Sequence, residues 1–81
     1  MEATNKNKTV EIKLSEDEAF VLLEWLHKFN ELEHPFLFED QAEERILLDL
    51  ESEMEKVISV TFDSKYYKIL SEARQKIRDK E

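Results

Sequence analysis

The sequence predicts a mainly α protein: a compact three-helix domain with an N-terminal β-strand, for which a short segment near 59–62 is the candidate pairing partner. Three observations predict it. Long stretches repeat apolar residues at helical spacing, each opened by a capping residue. One short segment alternates apolar and polar residues. The chain also has a single proline, Pro35, and no glycine, so little interrupts its helices. Eighty-one residues make one domain, divided here into a flexible tail over 1–8 and a single α-rich domain over 9–81.

Residues 1–8 are polar and aperiodic, as expected of a frayed terminus. Val10, Ile12 and Leu14 then alternate with Glu11 and Lys13, which reads as a half-buried strand. Ser15 and Glu18 form a capping box, and Glu16, Asp17 and Glu18 suit the positive end of a helix dipole. The first helix should run to about Glu33, because Pro35 pushes His34 out of the α region. Its apolar residues, Ala19 through Leu32, cover about 200° of the helix surface, too wide for one partner helix. The helix is therefore either central to the domain or carries a docking edge at Val21, Trp25 and Leu32.

A second helix is expected from Asp40 to Ile58, with Asp40 and Glu43 acting as a capping-box analogue. Its core stripe reads Ala42, Ile46, Leu47, Leu50, Met54, Val57 and Ile58, with Leu48 facing outward. Ser59 to Phe62 alternates and is rich in β-formers. Asp63 is placed to cap a third helix, with Phe62 and Tyr67 as a hydrophobic staple. That helix should bury Tyr66, Ile69, Leu70, Ala73 and Ile77 and finish on Arg74, Lys76, Arg78 and Lys80.

Several function classes are excluded by composition. Phosphate-cradling loops need glycine, and there is none. Without cysteine there are no disulfides, thiolate metal sites or thiol nucleophiles, which favours a reducing cytoplasm. The longest apolar run is five residues, Ala19 to Leu23, against about 20 for a membrane span.

Charge is strongly segregated. Residues 15–63 hold fifteen acids and three bases, a net of −12, against +1 for residues 1–14 and +3 for residues 64–81. Such a surface repels nucleic acid and anionic lipid and attracts a basic protein. Solubility alone would be served by scattered acids.

Two Glu-x-x-His pairs, Glu24 with His27 and Glu31 with His34, have the spacing of di-iron helical bundles. Both come from one helix, with Glu24, His27 and Glu31 on its polar arc and His34 beyond its end, so a metal site built from Glu24, His27 and Glu31 is an alternative reading. His27 lacks a suitably placed nucleophile, and no enzyme activity or cofactor is expected. Trp25 is either core or a partly exposed anchor of the kind enriched at interfaces.

Leu14-Ser15-x-Asp17-Glu18-Ala19-x-Val21-Leu22-x-Glu24-Trp25-Leu26, with Phe38-Glu39-Asp40-Gln41-Ala42-Glu43-x-Arg45-x-Leu47-x-Asp49-Leu50-Glu51, resembles a group of small uncharacterised acidic bacterial proteins. Ala73-Arg74-x-Lys76-x-Arg78-Asp79 extends the likeness to about two-thirds of the chain. That group brings no activity with it. In size and charge the chain is also similar to the immunity proteins that neutralise bacterial toxins. The expected function is a non-enzymatic binding module masking a basic partner, a toxin or nuclease, through Trp25, Glu24, Glu31, Glu39, Asp40, Glu43 and Glu44. A homodimer without a heterologous partner is the structural alternative.

Overall fold

The computed structural model describes residues 1–58 and 64–79. Two strands and three helices follow one another: β1 (Glu2–Lys6), β2 (Thr9–Lys13), α1 (Glu16–Asn30), α2 (Gln41–Val57) and α3 (Tyr66–Arg78). The mainly α class is as predicted, and so is a strand at Val10, but Val10 and Ile12 are exposed where a half-buried strand was expected.

The strand's partner is not. Residues 2–6, expected as a flexible tail, form β1 and pair antiparallel with β2, with Asn5 opposite Val10 and Ala3 opposite Ile12. The linking turn holds Asn7 at φ 53° and Lys8 at φ 65°. Two consecutive positive φ values are what a two-residue hairpin turn of the right twist demands. Asparagine tolerates that region and lysine does so only at a cost, so the usual Asn-Gly signal is missing from the sequence. The expected partner strand at 59–62 lies outside the described residues, as do the Asp63 cap and the Phe62 staple.

α1 starts as its sequence dictates. The Ser15 hydroxyl accepts from the Glu18 amide at 3.1 Å, and the Glu18 carboxylate accepts from the Ser15 amide at 2.9 Å. The ammonium of Met1 lies 3.2 Å from Glu18 and pins the hairpin's free end to this turn. The Glu18 carboxyl is held below its ordinary value, first by the Ser15 amide and then by that ammonium. The helix stops at Asn30, three residues short of the expected Glu33. Without a glycine to close its end, the His34 ring folds back, and its Nε2–H donates to the Phe29 carbonyl at 2.7 Å.

α1 is the central helix, as its wide apolar arc requires. It packs against both α2 and α3, whose backbones do not approach each other among the described residues. Phe20, Leu23 and Leu26 form its buried spine, joined by Met54 and Ile58 from the α2 end and by Leu70 from α3. Ala73 is also buried, so α3 faces inward as expected.

The predicted stripe of α2 needs correction. Only Leu47, Met54 and Ile58 turn toward the core; Ala42 in the first turn is exposed, and so is a second set, Ile46, Leu50 and Val57. The second set lies roughly 80° further round the helix, beyond the reach of a single partner. Leu48 is exposed, as predicted.

Candidate functional site: an acidic groove beside an exposed aromatic stack

The α1–α2 connection folds into a stack of rings. Trp25 stacks on Phe29 with centroids 4.8 Å apart, and Phe29 stacks on His34 at 3.8 Å. Phe38 meets both Phe29 and His34 edge-on, at 6.0 and 6.1 Å. Trp25 and Phe29 share a helical face four residues apart, and Leu32 follows just past the end of α1, which brings them to this end of the bundle. Offset and edge-on arrangements are the favoured ones for aromatic quadrupoles.

This stack leaves much of its apolar surface in solvent. Trp25 is 53% exposed, Leu32 67% and Phe36 97%, and Leu37 is exposed beside them. Trp25 is therefore a surface residue, and its core alternative is set aside.

Next to the stack is a groove of about 550 Å³ between the end of α1 and the start of α2. His34, Pro35 and Phe38 contribute its ring lining. Five carboxylate residues line it as well: Glu31, Glu33, Glu39, Asp40 and Glu44. Of the seven predicted binding residues, Glu31, Glu39, Asp40 and Glu44 thus share one groove, and Trp25 adjoins it through Phe29 and His34.

The remaining two are occupied otherwise. Glu43 accepts a hydrogen bond from the Glu39 amide at 2.8 Å, while Asp40 caps α2 by accepting from Ala42 at 2.8 Å. The anticipated capping box is therefore displaced by one residue. Glu24 is mostly buried, where the sequence placed it on the polar arc. It accepts a hydrogen bond from the Tyr66 hydroxyl and lies 3.5 Å from Lys28. Burial, with this bond second, pushes the Tyr66 hydroxyl up to about 12. Glu24 fastens α3 to α1.

His27 and Glu31 belong to a different network, on the α2 side. His27 Nδ1 lies 2.8 Å from Glu51, and its Nε2 is 3.3 Å from Glu31. Asn30 donates to Glu51 at 2.8 Å and to the Leu47 carbonyl at 3.3 Å. The hydrogen bond that His27 donates to Glu51 raises its imidazole above its ordinary value, against the opposing effect of desolvation, with the charges of Glu51, Glu31 and Glu55 assisting. Partial burial pushes the Glu51 carboxyl upward, but the bonds from Asn30 and His27 outweigh it and hold the group low. His27, Glu51 and Glu55 present ligand atoms within 4.8 Å of one another. The Glu24, His27, Glu31 set is thus divided between two bonding networks. In this arrangement His27 links the helices: once protonated, its imidazolium donates to a carboxylate on each side.

Glu51, Asn30 and Tyr66 are the site-forming residues that sequence reasoning missed. A single asparagine or tyrosine on an amphipathic helix gives no sign of which helix it will face. Phe36 and Leu37 were visible as apolar residues but not as exposed ones, whereas Leu32 stood on the docking edge that the sequence offered.

No family model, curated protein or solved structure matches this chain. No helix among the described residues is long and apolar enough to cross a membrane.

Proposed function

We propose that this chain is a non-enzymatic binding module whose acidic groove and neighbouring aromatic patch mask a basic protein surface, in the manner of an immunity or antitoxin-like inhibitor. The observation that carries this reading is the juxtaposition of a groove lined by five carboxylate residues with exposed Trp25, Leu32 and Phe36. A binding hot spot combines an aromatic anchor with a polar rim, and this end of the bundle has both. The carboxylates accept from lysine or arginine side chains inserted into the groove, and the net charge of −8 steers such a partner toward the surface. The apolar patch then slows dissociation.

Affinity capture with the purified chain, followed by binding measurements on any basic protein recovered, tests the reading. A genuine partner binds in a salt-dependent way and loses at least about tenfold in affinity to Trp25→Ala. Failure to recover a basic partner, or recovery indifferent to both Trp25→Ala and the paired change Glu39→Gln with Glu44→Gln, refutes it.

A further inference from the structure

We propose that His27, Glu51 and Glu55 form a zinc-class divalent metal site across the α1–α2 interface, with Glu31 and Asn30 orienting its ligands. This goes beyond the proposed function, and none of the three ligands lines the acidic groove.

The site is built from two pairs at helical spacing. His27 and Glu31 stand four residues apart, Glu31 being the cap residue that ends α1, and Glu51 and Glu55 stand four apart on α2. Residues at that spacing lie on one face of a helix, and the packing of α2 against α1 brings the two faces together. Ligand atoms of His27, Glu51 and Glu55 accordingly lie within 4.8 Å of one another, with His27 Nδ1 2.8 Å from Glu51. Tetrahedral zinc, bound at about 2.1 Å, holds its donors about 3.4 Å apart. The observed separations bracket that spacing, and small rotations of exposed side chains bring the donors to it.

The surroundings are those of a ligand set rather than of a simple ion pair. A metal-binding imidazole characteristically donates its second ring N–H to a carboxylate, which fixes the tautomer and aims the other nitrogen. Here Nε2 lies 3.3 Å from Glu31 while Nδ1 faces Glu51. Glu51 is fixed in turn by Asn30, which donates to its other oxygen at 2.8 Å. An ion pair with His27 needs only one carboxylate. A second, four residues along the same helix, adds like-charge repulsion. The bases next to this cluster in sequence are engaged elsewhere, Lys28 at 3.5 Å from Glu24 and Lys56 at 3.2 Å from Glu53. A divalent cation offsets the repulsion by bridging Glu51 and Glu55 and taking the place of the Nδ1 proton, which passes to solvent.

The donor set selects the metal. One imidazole nitrogen with two carboxylates suits zinc, whereas magnesium and calcium favour shells made wholly of oxygen. His27 and Glu55 are exposed, so an ion has a path in and water completes the fourth position.

The test titrates the full chain with zinc chloride by calorimetry. One ion binds per chain with a Kd of about 10 μM, and the melting temperature rises with zinc and falls back with a chelator. Glu55→Gln keeps the side chain's size, removes its charge and weakens binding by at least about tenfold, as does His27→Ala. Glu31 is a positioning residue, so Glu31→Ala weakens binding by about tenfold and Glu31→Gln, which keeps an acceptor for Nε2–H, by less. Glu72→Gln, exposed on α3, leaves binding unchanged. Imidazole nitrogen NMR of the unmodified chain shows the metal-induced shift at Nδ1 while Nε2 stays protonated. A Kd weaker than about 100 μM overturns the proposal, as do magnesium binding as tight as zinc and coordination through Nε2. Equal losses in Glu55→Gln and Glu72→Gln also overturn it, because they mark an adventitious ion only.

Discussion

Leu26 and Leu32 sit six residues apart, and their sequence pattern assigns both to the apolar set of α1, yet truncating them should have very different consequences. Leu26 is 1% exposed and surrounded by the spine of the core, whereas Leu32 is 67% exposed just past the end of the helix. Leu26→Ala removes a fully buried isobutyl group and leaves a cavity, at a cost of about 3–4 kcal/mol. Leu32→Ala loses only about a third of a leucine's burial, about 0.5–1 kcal/mol. A domain of this size has a total stability of about 5–10 kcal/mol, so the first variant forfeits a large share of it. Urea denaturation followed by circular dichroism measures both at one protein concentration. With an m-value of about 1 kcal/mol per molar, Leu26→Ala lowers the midpoint by about 3 M and Leu32→Ala by less than about 1 M. Equal losses at the two positions, or a Leu26→Ala cost below about 1.5 kcal/mol, would refute the assignment of α1 as the central helix with its apolar edge in solvent.

Tyr66→Phe removes the hydroxyl that donates to mostly buried Glu24. It should cost about 1–2 kcal/mol and lower the melting temperature by about 4–12 °C, with an unchanged melting curve counting against this tie between α1 and α3. In the unmodified protein, an absorbance titration should find one tyrosine ionising near pH 12, the Tyr66 hydroxyl. The His27 link should give stability a distinctive pH dependence. Because His27 is raised from 6.5 in the folded chain, its contribution is complete below pH 6.5 and is lost as pH rises through the folded value. Because Glu51 is lowered from 4.5, its contribution is complete above pH 4.5 and is lost as pH falls through its folded value. The link is therefore strongest between pH 4.5 and 6.5, and His27→Gln should flatten the alkaline decline; a decline that persists unaltered would contradict this. Lys8→Gly relieves a left-handed φ of 65° and should stabilise the hairpin by about 1 kcal/mol, read as slower amide exchange in β1 and β2. Faster exchange would contradict the turn geometry.

Local signals were legible wherever their cause was local. The Ser15 capping box closes with both of its bonds because its four residues need nothing beyond themselves. The inward residues of α3 were readable because that helix packs on one neighbour with one narrow stripe. β1 escaped notice because residues 2–6 are polar and the glycine that marks such a turn is replaced by Lys8. α2 misled for a different reason: apolar spacing records which residues avoid water on average, not which half of a wide arc finds a partner. Within the candidate site, the acidic residues Glu31, Glu39, Asp40 and Glu44 were all anticipated, whereas the retreat of Glu24 beneath Tyr66 was not.

The sequence by itself determined the mainly α class, the starts of α1 and α2, the strand around Val10 and the segregation of negative charge into residues 15–63. Each follows from spacing, capping chemistry or charge, which act along the chain. Only the tertiary structure decided that Trp25 is exposed, that Glu24 and His27 join opposite networks, and that four predicted acids share one groove. Those outcomes depend on the angles at which α2 and α3 meet α1. Such angles are set by packing between side chains distant in sequence, a relation that periodicity within one helix does not contain.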